Sequence, residues 1–280
     1  MSLAAFLTAH RHEGIVLVHI EGTAGSTPRE AGASMAVTAN AIAGTIGGGQ
    51  LEFHCIDRAR HMLSEKTPDQ ILDIPLGPQM GQCCGGRVRV SLKHCSASEA
   101  AVMAARETAE AAARPSVLVF GAGHTGRALV KALAALPFTV TLVDDRDDVM
   151  SGLPPAVTCV RIADPVGAVA NASANTAFVV LSHSHALDYR LAEAALARGD
   201  AAYVGMIGSA TKRSRFEASF LRSGGRRGTL ARLTCPIGGS DVDDKRPEVI
   251  AALTAAELVR CLLGRRKPVK GRRARHESAA

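Results

Sequence analysis

The sequence predicts an α/β protein in two parts: a C-terminal domain built on a parallel sheet with helices on both faces, and a smaller N-terminal mixed α/β domain. Three observations carry that expectation. Residues 116–263 alternate short β-branched runs with helix-length amphipathic stretches, as strands buried on both faces require. One of those runs leads into Gly121-Ala-Gly123-His-Thr-Gly126 and then a helix, the glycine spacing of a Rossmann-like turn. Residues 1–95 show no such alternation and are dense in glycine loops.

Taken in order, the N-terminal part opens with a short helix. The apolar run Ile15 to Ile20 follows, with further strand-like segments around Ser34 to Val37 and Arg87 to Leu92. Ser96 and Glu99 have the spacing of a capping box ahead of an Ala-rich helix that Pro115 stops, so residues 96–115 read as a connecting helix on a domain surface. In residues 116–263, strands are expected at Val117–Phe120, Val140–Val143, Val157–Ile162, Phe178–Leu181 and Tyr203–Ile207. The last helix begins at Pro247, a residue favoured at the first helical position, and Gly264 ends it.

With 280 residues, 47% of them hydrophobic, the chain has enough apolar material for one large core or two ordinary ones, which excludes disorder for most of its length. Aromatic residues are 3%, with no Trp, so a stacking platform for single-stranded nucleic acid is excluded. The net charge of +7 is local: residues 265–280 carry +6 and the other 264 residues are near neutral. Residues 264–280 therefore read as a basic, solvated tail, whose charge run supplies only a non-specific attraction to nucleic acid. No apolar run is long enough to span a membrane or form an export signal, and seven cysteines without a regular framework read as free thiols, so a cytoplasmic location is expected.

Four segments carry candidate chemistry. In the Rossmann-like turn, Gly121 allows the tight bend, Gly123 lets backbone approach a phosphate, and Gly126 lets helix and strand pack closely; His124 opens the helix. Asp144 ends the next strand, where a ribose hydroxyl would lie, so NAD, another nucleotide or any phosphorylated ligand suits the loop. In the N-terminal part, Gly47, Gly48 and Gly49 precede a helix and allow their N–H groups to converge on an anion, while Gly25-Ser26-Thr27-Pro28-Arg29 adds hydroxyls and a guanidinium.

Gln82-Cys83-Cys84-Gly85-Gly86 places two adjacent thiols on glycine-flanked backbone. Neither a mutual disulfide nor the usual zinc spacing suits them, which leaves thiolate ligation of a soft metal, sulfur transfer, or two small apolar fillers. His183, His185 and Asp188 follow an apolar strand at the ligand-facing end of the sheet and read as a polar cluster facing the cleft between domains. A His-x-His-x-x-Asp metal site is the rival reading. Gly208, Ser209 and Lys212 form a further strand-to-helix turn, either an anion site or a plain helix cap.

The blocks GSTPRE, GTIGGGQLE, LGPQMGQCCGG, FGAGHTGRAL, VDDR, LSHSHALDY, YVGMIGSATKRSRF, LTCPIG and PEVIAA occur in this order along nearly the whole chain. In them the sequence resembles the xanthine dehydrogenase accessory protein (XdhC/CoxI) family. That resemblance implies a cytoplasmic chaperone, not a turnover enzyme, acting in purine catabolism. It would bind molybdenum cofactor (molybdopterin) and shield it while a cysteine desulfurase supplies its terminal sulfido ligand. It would then deliver it to the molybdenum subunit of apo xanthine dehydrogenase, and a homodimer is expected. Carried over by residue, the resemblance puts Gly47, Gly48 and Gly49 near the pterin phosphate and Cys83 or Cys84 near molybdenum or sulfur. Two other classes stay open: an NAD(P)-dependent oxidoreductase with His124 or His183 as proton donor, and a metal-dependent hydrolase built on His183, His185 and Asp188.

Overall fold

The computed structural model describes residues 2–77, 85–146 and 149–264. Gln82, Cys83, Cys84 and the basic tail from residue 265 lie outside the described residues. The chain divides into two compact units, Met1–Ala113 and Arg114–Ala280.

The first unit contains α1 (Leu3–Ala9), β1 (Val16–Ala24), β2 (Ser34–Val37), β3 (Ile42–Gly44), α2 (Gly49–Glu65), β4 (Gln70–Pro75), β5 (Arg87–His94) and α3 (Ala97–Ala112). Its strands form an antiparallel sheet in the order β3-β2-β1-β5-β4. Alternation along β1 decides what each face covers. Val16, Val18 and Ile20 point to one side, with Leu51, Cys55, Ala59 and Met62 of α2, and Leu17 points to the other, with Phe6 and Leu7 of α1. Strands β3 and β4 were not anticipated from the sequence. Both are short edge strands, and β4 carries an exposed Ile71 and ends in Pro75, so neither shows the buried alternation that marks β1. Helix α3 starts with the expected capping box, Ser96 and Glu99 bonding reciprocally. It is packed within the first unit: Glu107 accepts the Leu3 N–H at 2.7 Å and Arg106 donates to the Gly32 carbonyl at 3.1 Å.

The second unit contains β6 (Ser116–Phe120), α4 (His124–Leu133), β7 (Thr139–Asp144), β8 (Val157–Arg161), α5 (Pro165–Asn171), β9 (Ala177–Val180), α6 (His185–Ala197), β10 (Tyr203–Met206), α7 (Ala210–Arg222), α8 (Arg227–Leu230), β11 (Leu233–Thr234) and α9 (Pro247–Leu263). Every pairing in its six-stranded sheet is parallel, in the order β11-β10-β9-β6-β7-β8. The central strands β6, β9 and β10 are almost wholly buried. One face carries α4 and α9, with Leu129, Val130, Leu133, Ala255 and Leu258, and the other carries α6 and α7, with Leu191, Ala195, Phe216 and Phe220. Strand order reverses between β6 and β9, so the crevice outside their carboxyl ends is where this fold receives ligands.

Candidate functional site

At the end of β6 the three glycines divide into two kinds. Gly121 has φ +113°, and a Cβ there would lie 2.2 Å from the Leu181 carbonyl oxygen; a Cβ on Gly126 would lie 1.8 Å from the Gly121 oxygen. Both are required by packing. Gly123 has nothing within 4 Å of a Cβ position and is exposed with His124, so its backbone is open to a phosphate.

Asp144 sits where the sequence places it, but its carboxylate is fully engaged. Oδ2 accepts the Ala122 N–H at 2.6 Å and Arg146 Nη2 at 3.0 Å, while Oδ1 accepts the Arg146 backbone N–H at 3.0 Å and Nε at 2.9 Å. Four donors fill the four lone-pair directions of a carboxylate. Burial pushes the carboxyl up, yet the Arg146 guanidinium and the two N–H groups outweigh it and hold the group far below the usual carboxylate range. The sequence reading of a ribose acceptor missed Arg146, only two residues on. The observed Asp144 ties the glycine turn to β7 and has no acceptor site left for a diol.

The expected cluster of His183, His185 and Asp188 is not assembled. Both histidines are exposed, His183 facing Asp145 at 3.9 Å and His185 starting α6, whereas Asp188 is fully buried one turn into that helix. Asp188 Oδ1 accepts the Ser182 N–H at 2.8 Å and its hydroxyl at 2.7 Å, and Oδ2 receives the Lys212 ammonium. No group of three or more His, Cys, Asp or Glu among the described residues is placed to hold a metal ion. Helical geometry explains the separation, since the third residue past His185 turns toward the sheet.

The same pair corrects the reading of Gly208, Ser209 and Lys212 as an anion site. Ser209 caps α7, its hydroxyl accepting the Lys212 N–H at 3.3 Å, and Gly208 lies against the Lys212 stem as that side chain runs inward.

In the first unit, separate sequence segments converge at one end of the sheet. Gly47, Gly48 and Gly49 all have positive φ, at 124°, 75° and 66°. A Cβ on Gly47 would lie 2.6 Å from Pro28 Cβ, which brings the Gly25–Arg29 loop onto the glycine triplet. Ser26 forms an isolated parallel bridge with Gly85, and a Cβ on Gly86 would lie 2.2 Å from the Ser26 carbonyl oxygen. Gly85 directly follows Cys83 and Cys84 in the sequence, so the described backbone beside the thiol pair is anchored on the same loop.

The triplet does enclose an anion, and it is the protein's own. Glu52 Oε2 accepts the Thr45 hydroxyl at 2.5 Å and the N–H groups of Ile46 and Gly48 at 3.0 and 3.2 Å, while the Gly47 N–H goes to the Thr45 hydroxyl at 3.1 Å. Burial raises the Glu52 carboxyl, but the Thr45 hydroxyl and these N–H groups outweigh it and hold it below the usual range. The feature that sequence reasoning missed is the Glu at the fourth position of the helix opened by the glycines, the place from which a side chain reaches back to its own N-terminus. Arg29, by contrast, has no hydrogen-bond or ion-pair partner among the described residues.

Comparison with known proteins accords with this architecture. Residues 117–258 match the family described as XdhC Rossmann domain, and residues 8–74 match the XdhC and CoxI family. An uncharacterized protein, YqeB of Escherichia coli strain K12, is 26% identical over 249 residues, covering 87% of this chain. The chain spans only 42% of that relative's length. A crystal structure titled as a xanthine dehydrogenase from Bacillus halodurans superposes with a TM-score of 0.79 at 16% identity, over 97% of this chain and 98% of that one, which establishes a shared fold. The family matches take in the Rossmann turn and the glycine triplet of the first unit alike, and the chain belongs to the XdhC and CoxI family.

Proposed function

We propose that this protein serves xanthine dehydrogenase maturation as a carrier of molybdenum cofactor. It binds the pterin cofactor, protects it while a cysteine desulfurase provides the terminal sulfido ligand, and passes it to the molybdenum subunit of apo xanthine dehydrogenase, working as a cytoplasmic homodimer. The observation that carries the reading is the convergence in the first unit. The Gly25–Arg29 loop touches both Gly47 and the Gly85–Gly86 backbone that follows the cysteine pair, which gathers an anion-binding guanidinium and thiol chemistry at one end of one sheet.

The donor set fits such a cofactor. Arg29 presents an unpartnered guanidinium for a phosphate, and a thiolate is the side chain best matched to molybdenum or to transferable sulfur. The glycine triplet supports the site by shaping the loop on which Arg29 rides, with Glu52 holding that shape. When bound, the cofactor supplies the redox centre of the enzyme that receives it; this chain's residues bind, orient and exclude water. An oxidoreductase reading loses its ribose acceptor to Arg146, and a hydrolase reading loses Asp188 to Lys212.

The test is to purify the protein from cells making molybdenum cofactor, denature it, and measure released pterin as its fluorescent oxidation product. Near-stoichiometric pterin is expected, with loss in a Cys83→Ala, Cys84→Ala double variant and a xanthine dehydrogenase that assembles without cofactor. Pterin-free wild-type protein would overturn the proposal.

A further inference from the structure

The largest cavity among those found in the described residues lies in the first unit, away from every segment singled out for the Rossmann half. It is a groove of 680 Å³, within the range of small-molecule sites. One side is α3, which contributes Met103, Arg106, Glu107 and Glu110, positions three and four apart that share a helix face. The other side is the segment from Pro28 to Ser34 with Gly44 and Thr45. Arg106 holds the two sides together, donating Nη2 to the Gly32 carbonyl at 3.1 Å and Nε to Glu110 at 2.8 Å.

Two groups on the walls keep binding capacity. On the loop side, the Arg29 guanidinium has no partner among the described residues, and its stem is fixed against Gly47, with Cγ 3.1 Å from a Cβ position there. On the helix side, Glu107 is half-buried and its Oε1 is pinned by the Leu3 N–H at 2.7 Å; Oε2 has no hydrogen-bond partner among the described residues. A pinned carboxylate with one free oxygen and spare lone pairs on the other accepts two parallel N–H donors, as it does from an Arg fork. The charge balance selects further. With Arg106 cancelled by Glu110, the walls offer one guanidinium against Glu30 and Glu107, which repels a polyanion and suits a ligand with a single anionic end and a donor edge.

We propose that this groove binds a phosphorylated 2-amino-4-oxopyrimidine, the edge shared by pterins and guanine. Arg29 pairs with the phosphate, and the Glu107 carboxylate accepts the ring N–H and the 2-amino group. The inference rests on the cofactor-carrier reading and gives that reading its pocket.

The test uses the full chain with three probes in calorimetric titrations: 6-hydroxymethylpterin phosphate, guanosine 5′-monophosphate and inosine 5′-monophosphate, which lacks the 2-amino group. Arg29→Ala should weaken every probe about tenfold or more, the value of one charge-assisted hydrogen bond. Glu107→Gln keeps an acceptor for the Leu3 N–H, so thermal unfolding should not change. It should weaken the two amino-bearing probes about tenfold and leave the inosine nucleotide nearly unaffected. Tighter binding of the pterin than of the guanine nucleotide identifies the pterin as the source, and the reverse order identifies a nucleotide. Wild-type binding that neither substitution changes, or wild-type protein that binds none of the probes, would overturn the groove. The same variants purified from cofactor-making cells separate the two proposals. Pterin retained undiminished in both variants rejects the groove and leaves the carrier reading. Wild-type protein without pterin that still binds the guanine nucleotide through Arg29 and Glu107 rejects the carrier reading and leaves the groove.

Discussion

The Lys212 ammonium rests on the Asp188 carboxylate in the interior of the second unit, where Asp188 is 0% and Lys212 9% exposed. The pair joins α7 to α6, and through Ser182 it also fixes the end of β9 beside the ligand-facing crevice. Removing either charge strands the other away from water. Lys212→Met or Asp188→Asn should each lower stability by about 3 kcal/mol, read from the urea unfolding transition of the second unit.

The glycines of the Rossmann turn should separate cleanly. Gly126→Ala and Gly121→Ala drive a Cβ into backbone, at 1.8 Å from the Gly121 oxygen and 2.2 Å from the Leu181 oxygen, and should destabilise the unit by several kcal/mol, on the order of other severe steric conflicts. Gly123→Ala meets nothing within 4 Å and should melt like the wild type. Differential scanning calorimetry of the three variants checks the order.

A saturated Asp144 predicts weak dinucleotide binding. Calorimetric titration with NAD should give no measurable heat in the wild type. Arg146→Ala frees two of the four acceptor directions on Asp144 and should raise the affinity; tight binding to the wild type would show that Arg146 yields to the ribose.

Glu52 should make the first unit acid-sensitive. Its folded-state carboxyl is held below the ordinary 4.5, so its stabilising contribution is complete above that value and is lost as pH falls through the folded value. The difference in denaturation midpoint between wild type and Glu52→Gln should therefore be constant from pH 8 to about pH 5 and shrink below pH 4.

Thiol reactivity follows burial. Cys159 and Cys261 are exposed, whereas Cys55 and Cys235 are buried and burial pushes the Cys55 thiol up to about 12. Mass-mapped iodoacetamide labelling at pH 8 should modify Cys159 and Cys261 first and reach Cys55 only in denaturant.

Much of the second unit was legible because its signal is local. Val117–Phe120 followed by Gly121, Gly123 and Gly126 fixes a strand, a turn and a helix within a few residues, and the β-branched runs at 140 and 178 declare strands buried on both faces. The first unit was less legible. Its edge strands β3 and β4 have one wet face and little periodicity, and α3 has no buried residue, so its place as a groove wall leaves no hydrophobic stripe to read.

The sequence by itself determined which chemical groups are present and which turns carry them: the glycine triplets, the acidic strand end and the cysteine pair. Tertiary structure alone decided which of those groups remain available. Asp144, Asp188 and Glu52 each read as a candidate ligand contact or neighbour. Each is instead consumed by a partner whose approach depends on packing: Arg146 bending back across a turn, Lys212 arriving from another helix, and a glycine loop folding over its own helix. Arg29 and Glu107 drew little or no attention in the linear chain, yet they line one groove because Leu3 and Glu107 meet across 104 residues. A carboxylate's chemistry is set by the donors that reach it, and those donors are brought by through-space contacts that spacing along the chain does not encode.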